Sequence, residues 1–340
     1  MFLSPRFAPA AALALAAFAA SGAAASESQQ ELRMGGLVFA KTSDAATIST
    51  ESMDLAITPK NVIIKYVFLN HGPAPVTLAL SLPLPDIDFS DPDASFAIPS
   101  DNAQNFIGLS SIIDGKPTPF AMVQRALLGG KDVTGAVLAA KLSLMPVGQF
   151  QNQLAAMAPA AREALANKGL IAQAGTDATD NPLYFPTWSV RTSAAINATF
   201  APGVPLPVEM RYKTSVGTSP DTPLRHALRL VPEMAAQVQT ERAQFCIDDG
   251  FLNGLDKLTG PAESNDSKFR EFRIDYAFGS AAAAAGPIKD FHLVVDKGRA
   301  DRVVSFCFND LKRLSATAFE MRAKNFVPEK DLKVLMIGKQ

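Results

Sequence analysis

Alternation of apolar and polar residues is the dominant pattern of this chain, and it is clearest between Asn61 and Pro85. Apolar residues recur at every second position of NVIIKYVFLN and again of VTLALSLPLP. Because side chains alternate faces along a strand, each half predicts a strand with one apolar face turned to a core. The intervening HGPAP contains one glycine and two prolines. We therefore expect a hairpin in which these two strands pair.

The same two-residue period predicts strands along most of the chain. Ile48 and Met53 fall on opposite parity, which predicts a bulge or a turn near Thr50. The sequence DGK at 114–116 is typical of a tight hairpin turn. Further strands are predicted at 35–39, 53–57, 188–190, 204–212, 272–278, 291–295, 303–308, 317–323 and 332–337.

Helical spacing replaces this alternation in the middle of the chain. Phe150, Leu154 and Leu165 recur at intervals that place them on one face of a helix. The predicted fold class is therefore mainly β (α+β), with an antiparallel β-sandwich-like body, a helical insertion and short helices. The predicted divisions are a signal peptide at 1–25, a first β-lobe at 26–123 and 186–220, a helical insertion at 124–185, and a second β-lobe with short helices at 221–340.

Charge and composition exclude several classes of function. The 32 Lys and Arg residues against 33 Asp and Glu give a formal net charge of −1, and no basic run occurs. A nucleic-acid partner therefore has no electrostatic footprint. The 22 Phe far outnumber the single Trp and 4 Tyr, which favours buried packing over base stacking. Sequence motifs of zinc proteases, serine hydrolases, P-loop proteins and dinucleotide-binding proteins do not occur in the chain.

The first residues have the features of a secretory signal peptide. Arg6 precedes an Ala/Leu/Phe run at 7–20, and Ala23-Ala24-Ala25 provides a small-residue cleavage site. We expect cleavage after Ala25, a periplasmic or secreted protein, and no transmembrane segment in the mature chain. The alternative is an uncleaved membrane anchor, although the apolar run is shorter than a spanning helix requires.

Three motifs resemble a known family. LPLPDI at 82–87, GPIKDFHLVVDKG at 286–298 and VSFC at 304–307 are similar to those of exported bacterial proteins known only as a domain of unknown function (four-four-two-four). The resemblance extends from about residue 35 to residue 337. The alanine run at 281–285 departs from the family pattern, in which a Trp is common. The resemblance implies a β-rich fold outside the cytoplasm and provides no activity.

Cys246 and Cys307 are the only cysteines of the chain. An even number of cysteines in an exported protein favours a disulfide, and both lie next to apolar residues. We therefore predict that they form a disulfide. The alternative is a pair of separate buried thiols.

Two further groups of residues were considered as sites. The first is an acidic loop whose carboxylates could attract calcium, or which could be a solvated strand exit with aspartates capping turns. Its members are Asp86, Asp88, Asp91 and Asp93. The second is the histidines, His71, His226 and His292, which have no ligand partners at motif spacing and are interpreted as surface residues. No catalytic residue is predicted, and calcium is the sole cofactor considered.

These observations favour a non-enzymatic binding or accessory module of the cell envelope. Its partner would be another envelope protein or a small ligand. One alternative is a carrier that holds an apolar small molecule between a sheet and the helical insertion. Another is a hydrolase whose triad is assembled from distant segments, because triads follow geometry and not sequence order.

Overall fold

The computed structural model describes residues 28–39, 42–176, 180, 182–260, 269–278 and 286–339. The predicted signal peptide and the alanine run at 281–285 lie outside these residues. Strands make up 45% and helices 19% of the structure, which confirms the mainly β fold class.

The strands are β1 (Met34–Gly35), β2 (Val38–Phe39), β3 (Ile48–Ile57), β4 (Asn61–Asn70), β5 (Val76–Pro83), β6 (Ile87–Asp88), β7 (Ser110–Ile113), β8 (Lys116–Pro117), β9 (Ala121–Leu128), β10 (Lys131–Asp132), β11 (Ile171–Thr176), β12 (Pro182–Pro186), β13 (Ser189–Phe200), β14 (Leu206–Lys213), β15 (Gly217–Ser219), β16 (Phe269–Ala277), β17 (Ile288–Asp296), β18 (Arg302–Phe306), β19 (Lys312–Arg313), β20 (Ala318–Phe326) and β21 (Leu332–Lys339). The helices are α1 (Thr134–Ala139), α2 (Phe150–Ala155), α3 (Pro159–Asn167), α4 (His226–Arg229), α5 (Ala235–Phe245) and α6 (Asp249–Thr259). None of the described helices has the length and hydropathy needed to cross a membrane.

The strands form two packed layers. One layer is an eight-stranded sheet in the order β19-β20-β17-β3-β4-β14-β7-β8. Two sheets lie against it. A six-stranded sheet has the order β10-β9-β13-β5-β2, with β6 also paired to β13, and a five-stranded sheet has the order β1-β16-β21-β18, with β15 also paired to β16. Phe68 of β4 meets Phe200 of β13 with ring centroids 6.0 Å apart. Phe278 after β16 meets Phe291 of β17 at 5.8 Å, so both smaller sheets share a core with the large one.

The hairpin predicted at 61–85 is wrong, although both of its strands are present. β4 pairs with β3 and β14 in the large sheet, whereas β5 pairs with β13 and β2 in the opposite layer. The chain therefore arches between layers at residues 71–75. Asn70 holds this arch, because its buried side chain donates to the carbonyls of Ala74 and Phe200 and accepts from the N–H of Gly72.

Two local expectations are confirmed. The pairing of β3 with β4 shifts register between Thr50 and Ser52, as a bulge requires. β7 and β8 form a hairpin in which Asp114 and Gly115 have φ values of 50° and 73°. Two positive φ values are typical of the type I′ turn that matches strand twist.

The predicted divisions of the chain differ from the sheets. β17 pairs in parallel with β3, so the large sheet takes strands from both sides of residue 220. The segment 124–185 contains three short helices, α1 to α3, and also β11 and β12 and most of β9. It is less helical than its apolar spacing indicates, because β9 continues the sheet as a partner of β13.

A short N-terminal segment joins the two smaller sheets, and we call Met34–Phe39 the seam. Its first two residues pair with β16 and its last two with β5. Tyrosines reach it from the large sheet. The N–H of Leu37 donates to Tyr66 Oη at 3.1 Å, and Tyr212 Oη donates to the carbonyl of Gly35 at 3.1 Å. Burial raises the pKa of Tyr66 to about 12, so these hydroxyls stay neutral hydrogen-bonding groups.

Candidate functional site

The candidate site lies at one corner of the sandwich, where β18 ends the five-stranded sheet and β19 ends the eight-stranded sheet. Cys246 ends α5 and Cys307 follows β18. The structure joins them in a disulfide with their Cα atoms 5.0 Å apart. Ser305 Oγ also donates to the carbonyl of Phe245 at 2.9 Å. The helical layer is thus fixed to an edge strand at this corner.

A cleft of 1120 Å³ opens on one side of the disulfide, and we call it the aromatic cleft. Its apolar lining residues include Phe278, Phe308, Phe326, Val327 and Pro328. The three phenylalanine rings pack on one another with centroids between 5.7 and 6.4 Å apart. Val327 is 50% exposed, so part of this apolar surface faces solvent.

A groove of 530 Å³ opens on the other side of the disulfide, and we call it the basic groove. Its charged lining residues are Lys297, Arg302, Arg313 and Asp248, and Phe306 is among its apolar ones. Phe308 and Cys246 line the groove and the aromatic cleft alike. The two cavities are therefore neighbours along the corner.

Sequence reasoning identified the two cysteines but not the residues around them. Phe278 follows β16, Phe308 follows β18 and Phe326 ends β20. They are distant in sequence, and each has the pattern of an ordinary core residue. Phe308 and Phe326 are half-buried. The sequence signal for this corner is the cysteine pair, because a disulfide brings the segment around Cys246 next to the end of the strand before Cys307.

His226 begins α4, where its Nδ1 lies 3.6 Å from Asp256 Oδ2, whereas His292 forms hydrogen bonds on the outside of the large sheet. His292 Nδ1 lies 2.9 Å from Asp54 Oδ1, and its Nε2 lies 3.2 Å from Glu320 Oε2. These residues alternate with other charges across β3, β17 and β20. The arrangement is a surface network of ion pairs and lines neither cavity.

Ser49 and His71 have the contact that a hydrolase would need, with Oγ and Nε2 2.7 Å apart. However, Ser49 Oγ also donates to Glu51 Oε1 at 2.5 Å, so the hydroxyl proton is directed to the carboxylate. Hydrogen bonds from Lys289 and then Ser49 lower the pKa of Glu51. His71 is more than half exposed, and the cluster lies outside both cavities.

The aspartates of the acidic loop, which were a weak candidate for calcium, do not converge. Arg191 holds Asp86 through both carboxylate oxygens at 2.6 and 3.0 Å, and this hydrogen bonding lowers the pKa of Asp86. Asp88 and Asp91 accept backbone N–H groups two residues further on. Nowhere in the described ranges do three or more potential metal ligands form a group. Calcium binding here stays a prediction, which melting temperatures with calcium and with a chelator would test.

A buried ion cluster ties α5 to the five-stranded sheet. Arg273 donates to Glu271 Oε2 at 2.8 Å through Nε and to Glu241 Oε1 at 2.8 Å through Nη2. Glu271 is fully buried, and burial raises its pKa. None of the three residues lines either cavity, so the cluster serves the attachment of the helix.

The family model for a domain of unknown function, DUF4424, matches residues 25–335. The chain belongs to this family. No curated protein matches its sequence.

Two solved structures match the chain at low similarity. A Legionella pneumophila protein, provisionally described as a nutrient binding protein, is 10% identical with a TM-score of 0.46; the match covers 91% of this chain and 72% of that one. An M1 zinc metallopeptidase mutant of Deinococcus radiodurans is 7% identical with a TM-score of 0.22, covering 92% of this chain and 43% of that one. Both TM-scores are too low to carry an inference about function.

Proposed function

We propose that this DUF4424 protein is an exported, non-enzymatic binding protein of the cell envelope, and that the aromatic cleft is its ligand site. The cleft carries the proposal. Ligand pockets are concave, mostly apolar and typically about 300–1,000 Å³ in volume, and this cleft has 1120 Å³ with three phenylalanines in its lining. The disulfide between Cys246 and Cys307 is part of its lining.

The cleft favours a small apolar ligand over a peptide that adds a strand. Strand addition needs a long edge with free backbone groups. The described strands β1, β2, β8, β10 and β19 end their sheets with two residues each. β18 offers five residues, and Lys297 Nζ already binds the carbonyl of Arg302 from the free side. An apolar molecule over the phenylalanines needs no such edge.

The position of the cleft differs from the place expected for a carrier. That expectation located the ligand between a sheet and the helical insertion at 124–185. The aromatic cleft is lined instead by residues from 243 to 333. The ligand site is thus proposed in the C-terminal half of the chain.

A neutral fluorescent probe tests the proposal. N-phenyl-naphthylamine fluoresces in apolar surroundings, and we expect its emission to rise when it is titrated against the folded protein. A Val327→Asp variant places a charge on the half-exposed cleft wall. It should weaken probe binding by about tenfold, equivalent to about 1.4 kcal/mol.

Val123 provides the matched control. It is 54% exposed, compared with 50% for Val327, and it lies on β9 outside the cleft. Val123→Asp should bind the probe as the unmodified protein does. Equal binding by the two variants, or the absence of probe binding by the unmodified protein, would count against the aromatic cleft as a ligand site.

Export is proposed on separate grounds. The features of residues 1–25 and the disulfide support it, since disulfides persist in oxidising compartments. Mass spectrometry of the protein from fractionated cells should find an N-terminus at Ser26 in the periplasm or medium. Recovery of the intact N-terminus from the membrane fraction would support the anchor instead.

A further inference from the structure

An apolar ligand in the aromatic cleft would not account for the positive charges of the basic groove. Lys297, Arg302 and Arg313 line it together with a single carboxylate, Asp248. Within the residues that the structure describes, none of the three cations forms a salt bridge, whereas Arg299 nearby is paired with Asp301 at 2.7 Å. The lining of the groove therefore carries three positive charges and one negative charge, beside the phenylalanines of the aromatic cleft.

The three cations are held in place by the fold. Two of the three N–H groups of Lys297 donate to the carbonyls of Ala300 and Arg302. The guanidinium of Arg302 lies over the ring of Phe272, 4.0 Å from its centroid. Arg313 Nε donates to the carbonyl of Ser315 at 2.9 Å. Their positions are thus fixed before any ligand arrives, which lowers the entropic cost of binding.

Two further observations indicate that the cations of the groove could accept an anionic partner. The Nε of Arg302 is buried, and no acceptor for it exists among the described residues. Burial and then the neighbouring Arg313 charge lower the pKa of Lys297, which shows that the cations are close enough to repel each other. An anion in the groove would relieve this repulsion.

The first turn of α6 forms one wall of the basic groove. Gly250 and Phe251 line the groove at the N-terminal end of this 11-residue helix. Backbone N–H groups at a helix N-terminus favour negative charge nearby. Asp248 caps one of these groups by accepting from the N–H of Phe251 at 2.7 Å, and Asp249 adds a second carboxylate to this turn, so the three cations supply the positive charge of the groove.

We infer that the ligand is a single-chain anionic amphiphile, whose head group binds in the basic groove while its apolar chain lies in the aromatic cleft. This inference rests on the proposed function of the cleft and adds the chemical class of the ligand. Phe308 and Cys246 line both cavities, and the proposed ligand would pass from one cavity to the other beside them. A peptide ligand is disfavoured because Lys297 already occupies the edge of β18.

The test compares matched ligands below their micelle concentrations by displacement of N-phenyl-naphthylamine. Dodecanoate and dodecanol have the same chain and differ in the charge of the head group. We expect dodecanoate to bind at least about tenfold more tightly, since charge-assisted hydrogen bonds are roughly twice as strong as neutral ones. Arg313→Gln should weaken dodecanoate binding by about fivefold and leave dodecanol unchanged. Arg313→Lys should retain most of the affinity.

Arg211 provides the control, because it is 52% exposed on the outside of the large sheet. Arg211→Gln should bind dodecanoate normally. Equal affinities for dodecanoate and dodecanol would overturn the anionic head group while leaving the apolar site intact. Failure of both ligands and of the probe would overturn the proposed function as well. Binding to phosphatidylglycerol vesicles without binding of dodecanoate would also overturn the inference, because it would assign the groove to a membrane surface.

Discussion

Replacing Gly36 with alanine tests whether the seam joins the two smaller sheets as the structure indicates. A methyl group added at Gly36 would lie 2.3 Å from Tyr66 Oη and 2.9 Å from Tyr276 Oη. Both tyrosine side chains are buried, so neither ring can move aside without disturbing its neighbours. Gly36 therefore serves the close approach of two layers.

The expected cost follows from this geometry. Overpacking a well-packed interior costs about 1–3 kcal/mol. Loss of glycine also reduces the entropy of the unfolded chain, which returns about 0.4–1 kcal/mol. We expect Gly36→Ala to lower the free energy of unfolding by about 1–2 kcal/mol.

Urea denaturation of the purified protein measures this change, with Gly135→Ala as the matched control. No atom lies within 4 Å of the methyl group that this second change adds, and Gly135 lies within α1. Alanine is the better helix former there, so the control should gain about 0.5–1 kcal/mol. The same substitution is thus expected to have opposite signs at the two glycines.

A double-mutant cycle identifies the atom responsible. Tyr66→Phe removes the oxygen nearest to the added methyl group, at the cost of the hydrogen bond from the N–H of Leu37. If the clash causes the loss, the double variant should be less destabilised than the sum of the single variants by about 1 kcal/mol. Additive effects, or equal stability of the two alanine variants, would refute the close packing at the seam.

Other perturbations address the disulfide, the arch and the buried ion cluster. Replacing both Cys246 and Cys307 with serine opens a loop with a sequence separation of 61 and should lower the free energy of unfolding in urea by about 4 kcal/mol. Chemical reduction of the unmodified protein should lower it by the same amount. Two free thiols in the denatured, unreduced protein would contradict the disulfide. Asn70→Ala leaves the carbonyls of Ala74 and Phe200 without their donor and should cost about 2–4 kcal/mol, whereas Asn197→Ala on an exposed strand position should cost less than about 1 kcal/mol. Burial raises the pKa of Glu271 above its usual 4.5. Its contribution to stability is therefore complete below pH 4.5 and falls as the pH rises through the folded pKa. Glu271→Gln should remove the resulting decline in melting temperature, and a variant with the same dependence of melting temperature on pH as the unmodified protein would exclude the raised pKa.

Sequence patterns predicted the positions of the strands better than they predicted which strands pair with each other. The alternation at 61–85 located β4 and β5 well, because a one-sided apolar face is a local property of a strand. It could not distinguish a hairpin from an arch between layers, since both place the same side chains in a core. The deciding contact is the bond from Asn70 to the carbonyl of Phe200, 130 residues away. No local pattern contains such a contact.

The candidate site was less accessible to sequence reasoning than the fold. Cys246 and Cys307 could be paired because they are the only cysteines. The phenylalanines of the aromatic cleft could not be separated from other core residues, because a half-buried ring and a buried ring leave the same trace in the sequence. Charged residues that are neighbours in the sequence were likewise a poor guide to charged residues that are neighbours in space. The aspartates that cluster in sequence are held by Arg191 and by turns, whereas the cations that converge in space are spread from 297 to 313.

The position of the cavities follows from how the sheets end. A β-sandwich must protect its edges from pairing with other chains, and most described sheet edges here do so with two-residue strands. The corner between β18 and β19 is different, because a five-residue strand ends one layer there and the disulfide holds a helix beside it. Among the residues that the structure describes, no strand covers the partly exposed side chains of Phe308 and Phe326 at this corner. A bound apolar chain would cover these side chains. A head group beside Lys297 and Arg313 would block the edge of β18 to other strands. The same residues would then serve both ligand binding and protection of the sheet edge.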